Sequence, residues 1–354
     1  MMNQLPKTMR GVCLTGHGGP EKLVLSTDLP LPQLTAGDVL IRVHAAGVNN
    51  TDINTRTGWY SKDAASTADA SWMGKPLVFP RIQGADVCGR IVAVGDDIDK
   101  KRIGERVLIE PCIREFHGET LSQAWYFGSE CDGGFAEYTA VASRHAHKIV
   151  SRLSDVELAS FPCSYSTAEN LLTRSAVVAK DRVLVTGASG GVGSAAVQLA
   201  RARGATVIAV TSPSKAEALN ALGASQSISK DDSLVEQLGS NSIDVVIDLV
   251  AGQQWPQLLE VLVPGGRYAA AGAIAGPLVT LDVRTLYLKD LRFFGCTVLD
   301  PHVFSNLIQR IESETIRPLV AHTFPLEQIA EAQTAFMSKK HIGKIVLSVI
   351  DDSG

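Results

Sequence analysis

Residues 186–200 read TGASGGVGSAAVQLA, between the apolar run DRVLV and the segment RARG. A buried strand followed by a Gly-rich turn and an apolar helix is the arrangement predicted there. Within it, Ala188-x-Gly190-x-x-Gly193 has the spacing of a dinucleotide-binding turn, with alanine in place of the first glycine. A pyrophosphate needs a tight turn, a backbone free of side chains, and a helix N-terminus with unpaired N–H donors. Gly190 lets the backbone approach the phosphates and Gly193 lets the helix press on its strand; Ser189, Gly191 and Val192 complete the loop. An ordinary Gly-rich strand–helix turn is the plain alternative. Thr186-Gly187-x-x-x-Gly191-x-Gly193 also spells the loop of short-chain dehydrogenases, but no Tyr-x-x-x-Lys pair follows, since Gly272 and Leu291 stand four positions after Tyr268 and Tyr287.

The pattern on either side of this stretch differs. From about 10 to 150 the apolar runs are short and β-like (VLIRVHAAGV, GRIVAVG, RVLIEP, FAEYTAV) and are separated by Gly, Pro and Asp turns, which predicts a mostly antiparallel, barrel-like region. From about 181, strand-like runs (ATVIAV, IDVVIDLV, GRYAAAG, LRFFGCTV) alternate with helix-like ones (SKAEALNALG), predicting a parallel, doubly wound sheet. HVFSNLIQRIES reads as a helix, and the closing run GKIVLSVI as a strand that rejoins the first domain. SKDAASTADAS (61–71) reads as a mobile loop, with Trp72 and Met73 at the mouth of a pocket.

The chain has 354 residues, too many for one ordinary core, with 45% apolar and 20% charged residues and a net charge of −4. That balance gives no basic field for nucleic acid or for an anionic membrane, and no run is long and apolar enough to span a bilayer. The first residues carry no secretory signal pattern, and the six cysteines include no CxxC pair, so a reducing cytoplasm is the expected compartment.

The stretch GVNNTDINTRTGWY (47–60) gathers Asn49, Asn50, Thr51, Asp52 and Asn54 into what reads as the wall of a polar pocket. Together with GHGGPEKLVLSTDLPLPQLTAGDVLIRVHAAGVNNTD, RIQGADVCGRIVAVG, DGGFAEYTAV, LTRSAVVAKDRVLVTGASGGVGSAAVQLA and HIGKIVL, it resembles the medium-chain dehydrogenase/reductase superfamily, on the zinc-free side of quinone oxidoreductases. The resemblance implies an α/β protein with a GroES-like β-barrel catalytic domain (1–156 and 300–354) interrupted by a doubly wound Rossmann domain (157–299).

Zinc-dependent members hold the metal with Cys, His and Cys, at positions that match Asn49, Ala85 and Cys163; one sulfur of three does not make a tetrahedral site, even with Asp86 recruited. The segment matching their structural zinc lobe offers Cys112, His117 and Cys131 without close cysteine spacing, and free cysteines are the better expectation. By resemblance, Asn49 lines the substrate pocket and its amide donates to a developing oxyanion. Tyr60 stacks on a flat substrate or supplies a proton. Asp52 acts at the same site, or merely pins the loop by accepting from backbone N–H groups. Asn54 stands where quinone reductases often carry tyrosine. Thr167 contacts the nicotinamide or caps a helix, and Gly272, Ala273 and Ile274, at the end of GRYAAAG, offer backbone groups to the carboxamide.

Thr211 falls where NAD-binding proteins place an acidic residue, and Ser212, Ser214 and Lys215 follow it. Hydroxyls and an ammonium attract a 2′-phosphate that a carboxylate would repel, so NADP(H) is expected over NAD(H). Ser214-x-x-Glu217 is also a helix capping box. His145 and His147 alternate in SRHAHKI without an evident acidic partner and read as a solvated strand edge. The function expected is hydride transfer to a quinone or α,β-unsaturated carbonyl without a metal, by a homodimer paired near LRFFGCTV. An alcohol or aldehyde dehydrogenase of the same superfamily and a non-catalytic NADPH-binding protein are the alternatives.

Overall fold

The computed structural model describes residues 5–63 and 66–350, in two compact units. The first comprises 1–163, 318–340 and 344–354; the second, 164–317 and 341–343. The breaks fall at 163/164 and 317/318, later than the 156/157 and 299/300 read from the sequence. The physical reason is that the helix Pro162–Arg174 runs through the first break and the helix Val303–Glu312 packs with the second unit.

The second unit is built on six parallel strands. Their spatial order is Gln226–Ser229, Thr206–Thr211, Arg182–Val185, Ile243–Asp248, Leu262–Ala270 and Arg292–Gly295. Numbered along the chain this is 3-2-1-4-5-6, the doubly wound order that reverses beside the strand feeding the Gly-rich turn. Continuous apolar runs such as Val183–Val185 and Val245–Ile247 are fully buried, as strands covered on both faces require. At the C-terminal end of the interior strand Ile243–Asp248, Asp248 is buried and accepts from Thr186 Oγ1 at 2.5 Å and Tyr268 Oη at 2.6 Å, tying three strands together.

The first unit is mostly antiparallel. Its largest sheet runs Ala146–Lys148, Arg106–Ile109, Asp86–Val94, Asp38–Val48, Lys344–Ser348 and Val320–Pro325, with Tyr138–Ala142 also paired to Asp38–Val48. The closing strand rejoins this sheet as expected, antiparallel to Asp38–Val48. Only its pairing with Val320–Pro325 within that sheet is parallel. A separate hairpin, Cys112–Phe116 with Glu119–Tyr126, replaces the cysteine-rich lobe of zinc members.

That hairpin corrects the expectation for the two histidines. His145 is in a 3-10 turn rather than a strand, is 1% exposed, and accepts at Nε2 from the backbone N–H groups of Arg114 (3.0 Å) and Glu115 (3.2 Å). Its Nδ1 therefore carries the proton and faces Glu110, which also faces His147 and bonds Arg114 at 2.6 Å. An acidic partner does accompany the pair; it lay too far along the chain to be noticed. Burial raises the Glu110 pKa, but the two histidines and Arg114 outweigh it and hold the carboxyl down at about 2.

Because the folded pKa of Glu110 is depressed, its stabilisation is present above the unfolded value of about 4.3 and is lost as the pH falls through about 2. Glu110→Gln is expected to lower stability by about 2 kcal/mol at neutral pH. It should also flatten the acid limb of a urea-denaturation stability profile between about pH 4.3 and 2 relative to the parent chain. An acid limb identical in both proteins would contradict this.

Candidate functional site

The strand Asp38–Val48 runs directly into the helix Asn50–Thr57, and the turn between them fixes Asn49. Asn49 has extended backbone as an N-cap should, and its N–H donates to Asp52 Oδ2 at 2.7 Å. Asp52 thus does pin the turn. It is 2% exposed, and burial pushes its pKa up to about 7 against the pull of the Asn49 N–H and of Lys344.

The Asn49 side chain is saturated. Nδ2 donates to Asp86 Oδ2 at 2.8 Å and to Gly47 O at 3.3 Å, while Oδ1 accepts from Lys344 Nζ. Both amide hydrogens are committed inside the protein, so the expected donation to a substrate oxyanion is not available in this geometry. The cause is Lys344, from GKIVL, which sequence reading did not single out. Its ammonium is buried and spreads its three hydrogens over Val48 O (2.9 Å), Asn49 Oδ1 and Asp86 Oδ2 (2.7 Å). Asp86, fully buried, takes the Cys163 backbone N–H on its other oxygen at 2.5 Å. A Lys four residues before the end of an apolar strand signals nothing in period or composition; only its partner across the sheet explains it.

Tyr126 is the second residue the sequence did not reveal. It closes the hairpin, and its hydroxyl meets Cys163 Sγ at 2.9 Å. Ala85, Tyr126 and Cys163 form one buried cluster, onto which Trp72 packs with its ring 5.1 Å from that of Tyr126. Trp72 therefore covers a phenol rather than merely edging a loop. Burial pushes the Cys163 thiol up to about 12 and raises the Tyr126 phenol, each further raised by charge at a neighbour. Tyr60 is half-buried, donates to Thr51 Oγ1 at 3.0 Å, and has its phenol pKa raised by burial, with Cys163 and Asp52 adding to the effect. Asn54 accepts from Asn50 Nδ2 at 3.2 Å. The structure thus brings Asn49, Asp52 and Tyr60 into one region with Asp86, Tyr126, Cys163 and Lys344.

In the second unit, the helix Gly191–Ala202 begins with Gly190 as its N-cap and no side chain capping it, which leaves N–H groups at the turn. A Cβ added at Gly193 would lie 2.3 Å from Gly187 O, so the strand–turn–helix contact demands glycine there. A Cβ at Gly190 would meet nothing closer than 3.5 Å; that side of the loop is open, as a phosphate site requires. Ala188 is buried, its N–H donating to Val210 O at 3.2 Å, and Ser189 O accepts from Gly343 N at 3.2 Å. Val192 is half-buried in the first turn of the helix.

Thr211 ends its strand with Oγ1 buried and unpartnered within the protein. Ser212 beyond it is half-buried, and Lys215 donates to His341 O at 2.8 Å. The following helix starts at Ala216, so Ser214 caps nothing. Thr167 is in the middle of its helix, which removes the capping alternative. Gly272, Ala273 and Ile274 lie just past the strand, which ends at Ala270, with Ile274 59% exposed. A buried, unpartnered hydroxyl at Thr211, an open glycine and an uncapped helix start together fit a dinucleotide.

The comparisons with known proteins agree. Residues 35–151 match the family described as alcohol dehydrogenase GroES-like domain, and residues 191–313 the family described as zinc-binding dehydrogenase. Human (Homo sapiens) quinone oxidoreductase is 30% identical over 96% of this chain and 98% of its own length. The chain belongs to the medium-chain dehydrogenase/reductase superfamily.

Among other superfamily members, an NAD-dependent alcohol dehydrogenase of Sulfurisphaera tokodaii is also 30% identical, covering 96% of this chain and 99% of its own. A crystal structure from Sinorhizobium meliloti 1021, provisionally named an alcohol dehydrogenase, is 47% identical with a TM-score of 0.91 and covers 98% of both chains. This medium-chain protein is accordingly an oxidoreductase with GroES-like and Rossmann domains, of a superfamily that uses a nicotinamide cofactor. The zinc in the family description does not fit its residues: Asn49 has its amide committed, Ala85 has no donor, and Cys163 is paired with a phenol. Cys112, His117 and Cys131 fare no better; among the described residues no three His, Cys, Asp or Glu side chains are disposed to hold a metal.

Lys344→Met would leave Asp86 charged and unpaired in the interior. A loss of about 3–5 kcal/mol in urea-denaturation stability is expected, with a large part restored in Lys344→Met/Asp86→Asn. Equal stability of the single variant and the parent would show the buried pair to be dispensable.

Proposed function

We propose that this protein is an NADPH-dependent reductase of quinones or α,β-unsaturated carbonyls that works without a catalytic metal. The observation that carries the reading is the donor set at the three positions where zinc-dependent members hold their metal. Those positions carry a Lys344-clamped amide, a methyl group and a phenol-bonded thiol. A Lewis acid is what lets hydride reach a plain ketone or leave a plain alcohol at neutral pH. Conjugated acceptors spread the incoming charge over their own π system, so positioning and hydrogen bonds suffice. When bound, the reduced nicotinamide supplies the hydride, and the protein positions the acceptor and stabilises its oxygen.

The Gly190 turn, with Ala188, Ser189, Gly191, Val192 and Gly193, holds the pyrophosphate, and Gly272, Ala273, Ile274 and Thr167 serve the nicotinamide end. Thr211, Ser212 and Lys215 take the adenosine ribose and its 2′-phosphate. The absence of a carboxylate at Thr211 and its unpartnered hydroxyl favour NADPH. Tyr60 binds the flat face of the acceptor, and Asn49 and Asp52 shape the floor beneath it. The cell compartment is the cytoplasm.

The second unit also offers an interface. Ahead of the edge strand Arg292–Gly295 the chain exposes Ile274, Leu278, Val283, Tyr287 and Leu288, with Leu278 91% exposed. Two copies pairing along this edge would cover an apolar patch that a monomer leaves in water.

NADPH oxidation at 340 nm with a panel of quinones, enones and aldehydes is expected to show turnover with at least one conjugated acceptor and no response to chelators. Activity lost on chelation and restored by zinc would overturn the metal-free reading, and turnover confined to alcohols would favour the dehydrogenase instead. In cofactor titrations NADPH should bind more tightly than NADH, and Lys215→Ala should weaken NADPH about tenfold while barely changing NADH. For assembly, light scattering should give the mass of a dimer, and Leu288→Asp should shift it towards the monomer.

A further inference from the structure

The reductase proposed above needs a donor for the acceptor's oxygen, and Asn49 cannot be that donor because both of its amide hydrogens are taken by Asp86 and Gly47. The question is which group stands in its place. Three positions mark where zinc-dependent members hold the ion that polarises the carbonyl, and the Tyr126 side chain sits on two of them. Its hydroxyl is 2.9 Å from the Cys163 sulfur, and its ring packs with Ala85, where the imidazole ligand would be. Tyr60 has its hydroxyl hydrogen on Thr51.

We propose that Tyr126 is the residue that binds and protonates the acceptor's carbonyl oxygen, with Cys163 as its positioning partner. The thiol and the phenol share one hydrogen bond in which either can donate. When the S–H donates to the phenolic oxygen, the phenol's own hydrogen points away from the sulfur and is available to a ligand. Burial holds both groups in their protonated forms across the neutral range, so the donor persists.

The balance is simple. As an electron pair accumulates on the acceptor's oxygen, the phenol's O–H bond breaks and an O–H bond forms on the product. The phenolate then regains a proton from water. The hydride comes from the reduced nicotinamide, so the acceptor gains two electrons and one proton beyond that transfer's own hydrogen. Trp72 packs against the Tyr126 ring, with centroids 5.1 Å apart and planes tilted by 31°.

Tyr126→Phe keeps the ring and removes only the hydroxyl. It is expected to reduce kcat with a conjugated acceptor about 100-fold at nearly constant NADPH affinity. It should also weaken binding of the 4-nitrophenolate anion, an oxyanion probe followed by its absorbance shift, about tenfold or more. Cys163→Ala, which removes only the partner, should weaken the same probe by a smaller factor. Replacing Tyr126 with 3-fluorotyrosine, an almost isosteric and more acidic phenol that spares the fold, should tighten it. Tyr126→Phe retaining both kcat and probe affinity within twofold would overturn the proposal. So would a wild-type protein that fails to bind the probe, or a fluorinated one that binds it no differently. Absence of wild-type turnover with every acceptor would instead overturn the reductase reading, and the probe series would still decide the role of Tyr126.

Discussion

A buried ion pair governs the first unit. Asp86 and Lys344 are both almost wholly out of water and 2.7 Å apart, and each is tied to Asn49. Removing two charges from water costs several kcal/mol per ion, which attraction offsets only when every hydrogen and lone pair finds a partner. The ammonium meets that condition in full with three acceptors, and the carboxylate receives three donors: the ammonium, an amide and the Cys163 N–H. The network joins the central strand, the helix start at Asn50, the strand at Asp86 and the closing strand. It keeps both hydrogens of the Asn49 amide inside the protein.

The second unit meets its constraints with small residues instead. Gly193 is needed because Gly187 O lies where a side chain would go, whereas a Cβ at Gly190 would meet nothing closer than 3.5 Å. Asp248, buried under Thr186 and Tyr268, braces the sheet immediately behind the turn. Position and emptiness, rather than charge, define this site.

Much of the architecture was legible in the chain. The switch from alternating short runs to strand–helix alternation near 181 located the parallel sheet, because a parallel strand must be apolar throughout and must be followed by a crossover. The closing run GKIVLSVI, a strand followed by only a short tail, was expected to rejoin the first unit, where it pairs antiparallel with Asp38–Val48. Long-range polar pairing was not legible. Lys344 and Asp86, Glu110 with His145 and His147, and Tyr126 with Cys163 are joined by contacts across 35 or more positions, in stretches whose composition is ordinary. Periodicity reports which face a side chain takes, not what it meets there. For that reason the commitment of both Asn49 amide hydrogens to Asp86 and Gly47 could not be read from the chain.

The sequence distance between Asn49 and its ammonium partner has a bearing on how the chain is made. Lys344 emerges from the ribosome 295 residues after Asn49, behind the whole of the parallel-sheet unit. The polar centre of the first unit therefore cannot be completed until nearly the whole chain has been synthesised.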